Sequence, residues 1–263
     1  MPPGSYMATI QSRGALRVGV DQNTLFFGYR NPANNELQGF DIDVAKMIAQ
    51  AIFGDPSRID YVVVSTSQRM PAVAGDPAGQ NIKVDMVASL VTMTCARLTD
   101  PEHPVLFSSQ YFDAAQGLLI RSSSHGDING PVDLAGKRVC ATRGSTSSSN
   151  MRKLQPNVRM VEVGNRTECL VLLQDGRVDA ITADNTILYG FKRQDRTTEI
   201  LPVQLSDEPY GLAINTSHPD FVRFVNAVLQ QKREDGTLTE RARYWGAQAG
   251  VEFPPIPPAR YQD

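Results

Sequence analysis

The sequence predicts an α/β protein built as two similar lobes joined by extended strands. Short apolar runs alternate with segments whose apolar residues recur at helical spacing, which is typical of strands followed by helices. A second series of the same kind begins after Gly117. No low-complexity linker separates the two series, so two lobes connected by strands fit the chain better than two independent domains.

The first series begins with a strand at residues 15–20, which ends at Asp21. A helix follows, with Asp41 as its N-cap and Gly54 as its stop, and its apolar residues recur every three or four positions. Further strands are predicted at residues 61–64 and 84–88. This order of strand, helix and strand is typical of an α/β lobe.

The second series repeats this order. Strands are predicted at 138–141, 159–163, 178–182 and 210–214, and helices at 168–173, at 185–192 and after Ser145. Two more helices, at 219–232 and 238–245, precede a tail that the four prolines of residues 254–258 keep extended on the surface. We therefore place the first lobe at residues 1–117 and 209–263, and the second at 118–208.

The composition argues against several classes of protein. The 263 residues include 26 Lys and Arg against 28 Asp and Glu, with no basic block, so no nucleic-acid partner is expected. The longest apolar runs, such as residues 170–173, are far too short to cross a bilayer. Residues 1–7 lack the charged and apolar parts of a targeting signal, so we expect the numbering to begin after a removed segment. The three cysteines form no C-x-x-C pair or His/Cys cluster, which argues against a metal or redox site and against a cofactor.

Three stretches place polar side chains at predicted strand ends. Thr92, Thr94 and Arg97 follow a strand where a helix starts, and free N–H groups with a guanidinium can hold a carboxylate there. Residues 143–148 repeat this arrangement without the Lys and spacing of a nucleotide-binding loop. Asp184 ends a strand at the edge where open α/β sheets bind ligands, and its carboxylate either caps the next helix or binds a cation. Each stretch alone is compatible with an ordinary cap, and their recurrence in both halves favours binding.

Together these stretches resemble the amino-acid-binding proteins of ABC importers, the solute-binding protein family 3. The resemblance covers residues 16–245. Its segments occur in family order: LRVGVD at 16–21, GFDIDVA at 39–45, RMPAV at 69–73, TMTCAR at 92–97, DLAGKRV at 133–139, GRVDA at 176–180 and YGLAI at 210–214. It implies a periplasmic-binding-protein-like fold, in which two doubly wound lobes joined by a double-strand hinge close on the ligand like a flytrap.

The resemblance also implies a set of ligand contacts. By this resemblance Arg97 binds the α-carboxylate of a free L-amino acid, and Asp184 holds the α-ammonium group. Both lobes then supply contacts, which favours the closed state. The further contacts implied are Thr92 and the backbone near Leu90 in the first lobe, and Thr146 and Ser147 in the second.

The family implies a monomeric, non-enzymatic protein outside the cytoplasm, anchored to the membrane as a lipoprotein. Its partner is the permease of an ABC importer or, alternatively, a membrane sensor that detects the closed form. Enzymes on this fold are the third alternative. The sequence holds no Ser/His/Asp set and no metal-ligand spacing, and Glu168, the nearest acidic candidate, is expected on a helix surface.

The cysteines narrow the resemblance to the glutamate- and glutamine-binding lipoproteins of Gram-positive bacteria. Cys140 and Cys169, with the TILYG segment at 186–190, match that subgroup. It implies a disulfide inside the second lobe, the alternative being two buried free thiols. Cys95 lies inside the ligand-loop motif, where family members commonly carry a polar or acidic residue.

Three residues bear on which amino acid is bound. Arg69 matches an arginine that reaches the ligand side chain in aspartate and glutamate binders, and Arg143 is the second candidate for that carboxylate. Asp21 matches a residue that contacts the ligand amide in glutamine binders, and it would repel a second carboxylate unless it pairs with an arginine. Two arginines in the cleft favour an acidic side chain, because an unpaired buried guanidinium is costly. We predict glutamate or aspartate first and asparagine or glutamine next.

Overall fold

Two β-sheets flanked by helices form the two lobes, in a computed structural model that describes residues 1–75 and 83–259. The predicted periplasmic-binding-protein-like α/β architecture is confirmed. Both sheets combine parallel and antiparallel strands. Within the described part of the chain, no helix combines the length and apolar character needed to span a membrane.

The first lobe is built on a five-stranded sheet with the order β5-β1-β6-β14-β7. The first three strands in this order are parallel, and β14 runs antiparallel to both of its neighbours. A small antiparallel sheet of β2, β3 and β4 lies beside it. The strands are β1 (Leu16–Val20), β2 (Asn23–Thr24), β3 (Gly28–Arg30), β4 (Leu37–Gln38), β5 (Ile59–Val63), β6 (Met86–Ala88), β7 (Val105–Phe107) and β14 (Ala213–Asn215).

The second lobe is built on a six-stranded sheet. Five of its strands follow the order β10-β9-β11-β8-β12, and the sixth, β13, pairs with β8. Strands β10, β9 and β11 are parallel, and β8 runs antiparallel to β11, β12 and β13. The strands are β8 (Phe112–Arg121), β9 (Arg138–Thr142), β10 (Arg159–Val163), β11 (Ala180–Asp184), β12 (Thr198–Ile200) and β13 (Ser206–Tyr210).

Nine helices are described, together with three short 3-10 helices at Thr66–Gln68, Ser122–Ser124 and Pro131–Leu134. The α-helices are α1 (Tyr6–Arg13), α2 (Phe40–Phe53), α3 (Arg69–Ala74), α4 (Cys95–Leu98), α5 (Thr146–Leu154), α6 (Arg166–Gln174), α7 (Asn185–Gln194), α8 (Pro219–Glu234) and α9 (Thr237–Ala249).

Two paired strands join the lobes. β13 runs antiparallel to β8 over its whole length, from Ser206 opposite Gln116 to Tyr210 opposite Phe112. The chain then enters the first sheet at β14, so the single strand predicted at 210–214 is wrong and two strands in different sheets take its place. The predicted lobe boundary between residues 117 and 118 lies inside β8.

An aromatic cluster lies beneath the connecting strands. Phe27 packs edge-on against Phe112 at a ring-centroid distance of 5.2 Å, and Phe112 stacks on Tyr210 at 5.9 Å. Phe253 of the C-terminal tail contacts Phe27 and Phe112, at 5.4 Å from each. The predicted extended tail is therefore anchored by an apolar side chain, which fixes it against the junction of the lobes.

Two features at the start of the chain differ from expectation. Residues 6–13 form α1, which the sequence reading missed, and Ser5 caps it by accepting a hydrogen bond from the N–H of Ala8. The N-cap of α2 is Gly39, whereas the predicted cap, Asp41, lies in the first turn and is fully buried. Asp41 accepts hydrogen bonds from Tyr111 at 2.7 Å and from the N–H of Leu90 at 2.8 Å, so it supports the site instead of capping the helix.

The disulfide implied by the resemblance is confirmed. Cys140 in β9 is bonded to Cys169 in α6, and this bond ties the helix to the sheet of the second lobe. Cys95 is a free, exposed thiol at the start of α4.

Candidate functional site

A small cavity lies between the lobes, at the carboxyl ends of strands from both sheets. The first lobe contributes Thr66, Arg69, Leu90 and Thr92 to its walls. The second lobe contributes Thr142, Ser145, Thr146, Ser147, Arg166, Thr182, Ala183, Asp184 and Ile187.

Asp184 supplies the negative charge of this cavity. It ends β11 and precedes α7, yet its side chain makes no capping hydrogen bond, so its carboxylate remains directed to the site. It accepts hydrogen bonds from the hydroxyls of Tyr210 at 2.7 Å and Ser147 at 3.2 Å. Burial and the charge of Glu208 raise the pKa of Asp184 to about 6, although the Tyr210 hydrogen bond opposes this rise. A cation bound here would relieve that unfavourable burial.

Arg69 supplies a buried positive charge in the same cavity. Its Nε donates to the carbonyl of Thr66 at 3.0 Å, and its Nη1 donates to the carbonyls of Ser89 and Leu90 at 3.0 and 2.8 Å. These bonds hold the guanidinium in one orientation. Burial, with the nearby charges of Arg97 and Arg166, lowers the pKa of Arg69 to about 9. Because it lacks an acidic partner among the described residues, the site favours an anion at this point.

Leu90 shapes the turn that carries these groups. Its φ of 48° lies in the left-handed region, which is uncommon for a residue other than glycine. Its N–H donates to Asp41 and its carbonyl accepts from Arg69, so both of its backbone groups already have partners. Leu90 lines the cavity, and its N–H is committed to Asp41.

Arg97 lies behind the wall of the cavity. Thr94 caps the short helix α4 that carries Arg97, as the motif predicts. The Nη1 of Arg97 donates to the carbonyl of Thr92 at 2.5 Å, and Arg97 is half-buried and does not itself line the cavity. Burial lowers the pKa of Arg97, whereas Asp184 and Glu208 raise it. Arg97 thus contacts Thr92, which lines the cavity.

Glu208 connects the hinge to both lobes. This residue of β13 is 1% exposed and accepts hydrogen bonds from the hydroxyls of Thr92 at 2.6 Å and Thr146 at 2.7 Å. It also accepts one from Ser206 at 2.7 Å. Thr92 belongs to the first lobe and Thr146 to the second, so this carboxylate is a shared acceptor across the cleft. The sequence reading did not include Glu208.

Arg143, which was expected to be the second contact for the carboxylate of the ligand side chain, does not line the cavity. Thr142 lines the cavity at the end of β9. Arg143 follows the last residue of β9, and its side chain is exposed.

Arg166, and not Arg143, lines the cavity. It is 6% exposed, and it forms an ion pair with Asp21 at 3.2 Å across the cleft. Asp21 lines a neighbouring cavity, which Arg166 also lines. The sequence contains the signal that was missed: Asn165 and Glu168 form a capping box, so α6 begins at Arg166, directly beyond the end of β10.

Comparison with known proteins places this geometry in a family. A family model described as bacterial extracellular solute-binding proteins, family 3, matches residues 16–248. The glutamine-binding protein GlnH of an ABC transporter in Bacillus subtilis is 33% identical over 91% of this chain and 84% of its own length. A glutamine-binding protein of Geobacillus stearothermophilus is 37% identical over 77% of this chain and 73% of its own length.

Two further matches are named for other amino acids, one for glutamate and one for arginine. The glutamate-binding protein GluB of Corynebacterium glutamicum is 28% identical over 89% of this chain and 78% of its own length. The solved structure of an ancestral arginine-binding protein bound to glutamine is 30% identical, with a TM-score of 0.78, over 89% of this chain and 98% of the other. The relatives therefore share the fold while differing in the amino acid that they are named for.

Proposed function

Because the chain belongs to the bacterial extracellular solute-binding proteins of family 3, we propose that it binds one free L-amino acid between its lobes. Glutamate and aspartate are the first ligands we expect. The bound form is delivered to the permease of an ABC importer, and no chemical step is performed on the ligand. Binding favours the closed lobes because each lobe supplies contacts that the open form lacks.

The unpaired Arg69 is the observation that carries the choice of an acidic ligand. It is 4% exposed, with three carbonyl acceptors and no carboxylate partner among the described residues. Asp184 is near enough to oppose the lowering of the pKa of Arg69 but is not in ion-pair contact with it, so a ligand carboxylate at Arg69 would neutralise a buried charge. In this proposal Arg97 and Thr92 take the α-carboxylate, Asp184 takes the α-ammonium, and Arg69 takes the carboxylate of the side chain.

Glutamine, with asparagine, is the second candidate, and one contact supports it. Asp21 pairs with Arg166, so this second arginine of the cavity is already neutralised. Because Arg166 is paired, an amide bound at this end of the cavity leaves only one arginine unpaired. Binding an amide therefore costs less free energy than it would if both arginines were unpaired. The names of the two glutamine-binding relatives agree with this candidate.

We place the protein outside the cytoplasm, held at the cell surface as a lipoprotein and acting as a monomer. The family description supports the extracytoplasmic part of this proposal. Co-purification of permease and ATPase subunits from membranes would support delivery to an importer. Recovery of a single receptor protein would support sensing instead.

Calorimetric titration with glutamate, aspartate, glutamine and asparagine tests the ligand. The proposal predicts saturable binding of one molecule per chain, tightest for an acidic amino acid. A clear preference for an amide would overturn the acidic choice, and the absence of binding to all four would overturn the proposed function.

A further inference from the structure

We propose that Arg166, held by Asp21 across the cleft, sets the length and the charge of the ligand side chain that this site accepts. The inference rests on the proposed binding of a free amino acid. In that proposal Arg97 and Asp184 take the two α-groups, so the side chain faces the remaining polar wall of Thr66, Arg69 and Arg166.

Arg166 is buried by the opposite lobe. It is the first residue of α6, where the positive end of the helix dipole disfavours a cation. Its Nη1 donates to the Oγ1 of Thr24 at 2.9 Å and lies 3.2 Å from Asp21, and its Nη2 donates to the Oγ1 of Thr66 at 3.1 Å. All three partners belong to the first lobe. The guanidinium therefore takes this position only when the lobes are closed.

The position of Arg166 limits the length of the ligand. Arg166 and Thr66 line both the ligand cavity and the neighbouring cavity. The Asp21–Arg166 pair is thus part of the wall between the two spaces. Replacing Arg166 by a small residue joins them in this proposal, and a ligand substituted beyond its side-chain carbonyl then extends through the opening.

The Asp21–Arg166 pair also sets the charge of this part of the cavity wall. Asp21 is 4% exposed, and it also accepts hydrogen bonds from the N–H of Asn23 at 2.9 Å and the hydroxyl of Thr24 at 2.6 Å. It therefore remains fixed beside Arg166. The carboxylate of Asp21 competes with any ligand carboxylate for Arg166. A cationic side chain, in contrast, meets both Arg69 and Arg166 and is disfavoured.

The test measures dissociation constants by calorimetry for glutamate, glutamine and the dipeptide γ-glutamylglycine. The proteins are the wild type, Arg166→Ala, Asp21→Asn and the control Arg177→Met, which removes one exposed charge from the same lobe. Arg166→Ala is expected to raise the affinity for γ-glutamylglycine relative to glutamate on the order of tenfold. Asp21→Asn frees Arg166 and is expected to raise the preference for glutamate over glutamine on the order of tenfold. The control leaves both ratios unchanged.

The outcomes separate this inference from the function on which it rests. If the wild type binds amino acids and both variants weaken all three ligands by one common factor, Arg166 only holds the lobes closed and the inference is overturned. If the wild type binds none of the amino acids, both the proposed function and this inference are refuted. Thermal melting without ligand checks that each variant is folded. Should Arg166→Ala fail to fold, the shift expected for Asp21→Asn decides the matter.

Discussion

Acidification should weaken ligand binding through Asp184. The unliganded cavity raises the pKa of this carboxyl to about 6, chiefly because it is buried and secondarily because Glu208 is near. A ligand ammonium prefers the ionised carboxylate, so binding below this pKa must first release a proton. The affinity is therefore highest above pH 6 and falls as the pH is lowered through 6.

The size of the effect follows from the fraction of Asp184 that is ionised. With a pKa of about 6, roughly nine tenths of the carboxyl is ionised at about pH 7 and roughly one tenth at about pH 5. The dissociation constant should therefore rise on the order of tenfold over these two pH units. Glutamine is the better probe, since the side chain of glutamate begins to titrate with a pKa of about 4.3.

Calorimetric titrations of the wild type and of Asp184→Asn across this pH range test the argument. The variant should bind more weakly at neutral pH, and its affinity should depend little on pH. Asp41→Asn tests the other buried carboxyl whose pKa burial raises to about 6; because Asp41 holds Leu90 without lining the cavity, this variant should keep the pH slope of the wild type even if its affinity is lower. A wild-type affinity that stays constant between pH 5 and pH 7 would refute the reasoning, as would an equal slope in the Asp184 variant.

Three further changes have expected outcomes. Arg69→Met should weaken glutamate at least about tenfold more than glutamine in calorimetry, because only glutamate loses a charge-assisted partner; equal losses would contradict this. Replacing Cys140 and Cys169 together by serine should lower the free energy of unfolding by about 3 kcal/mol in denaturant titrations, whereas an unchanged midpoint would show that the disulfide contributes nothing. Phe253→Ala should lower it by about 3 kcal/mol, since the ring packs on the aromatic cluster of the hinge; a loss below about 1 kcal/mol would mean that the tail is only loosely held.

The hinge shows where sequence patterns stop being informative. Tyr210, Leu212 and Ile214 are all fully buried, so their spacing looks like one strand. In the structure β13 ends at Tyr210 and β14 starts at Ala213, with the N–H of Gly211 donating to Val91 between them. Local periodicity records burial, but it does not record which sheet a strand joins.

The site was predictable where a side chain is placed by its own strand end. Asp184, Thr92 and Thr146 line the cavity because each one follows or ends a strand at the shared edge of the sheets. Arg166 and Glu208 act through partners far away along the chain, so no local motif pairs them with Asp21 or Thr92. Such contacts exist only once the lobes close.

A crystal structure of the protein with bound glutamate tests the central claim most directly. It should show the α-ammonium within hydrogen-bonding distance of Asp184, the α-carboxylate at Arg97 and Thr92, and the side-chain carboxylate at Arg69. Glutamate bound with its ammonium away from Asp184, or bound outside the cleft, would contradict the account.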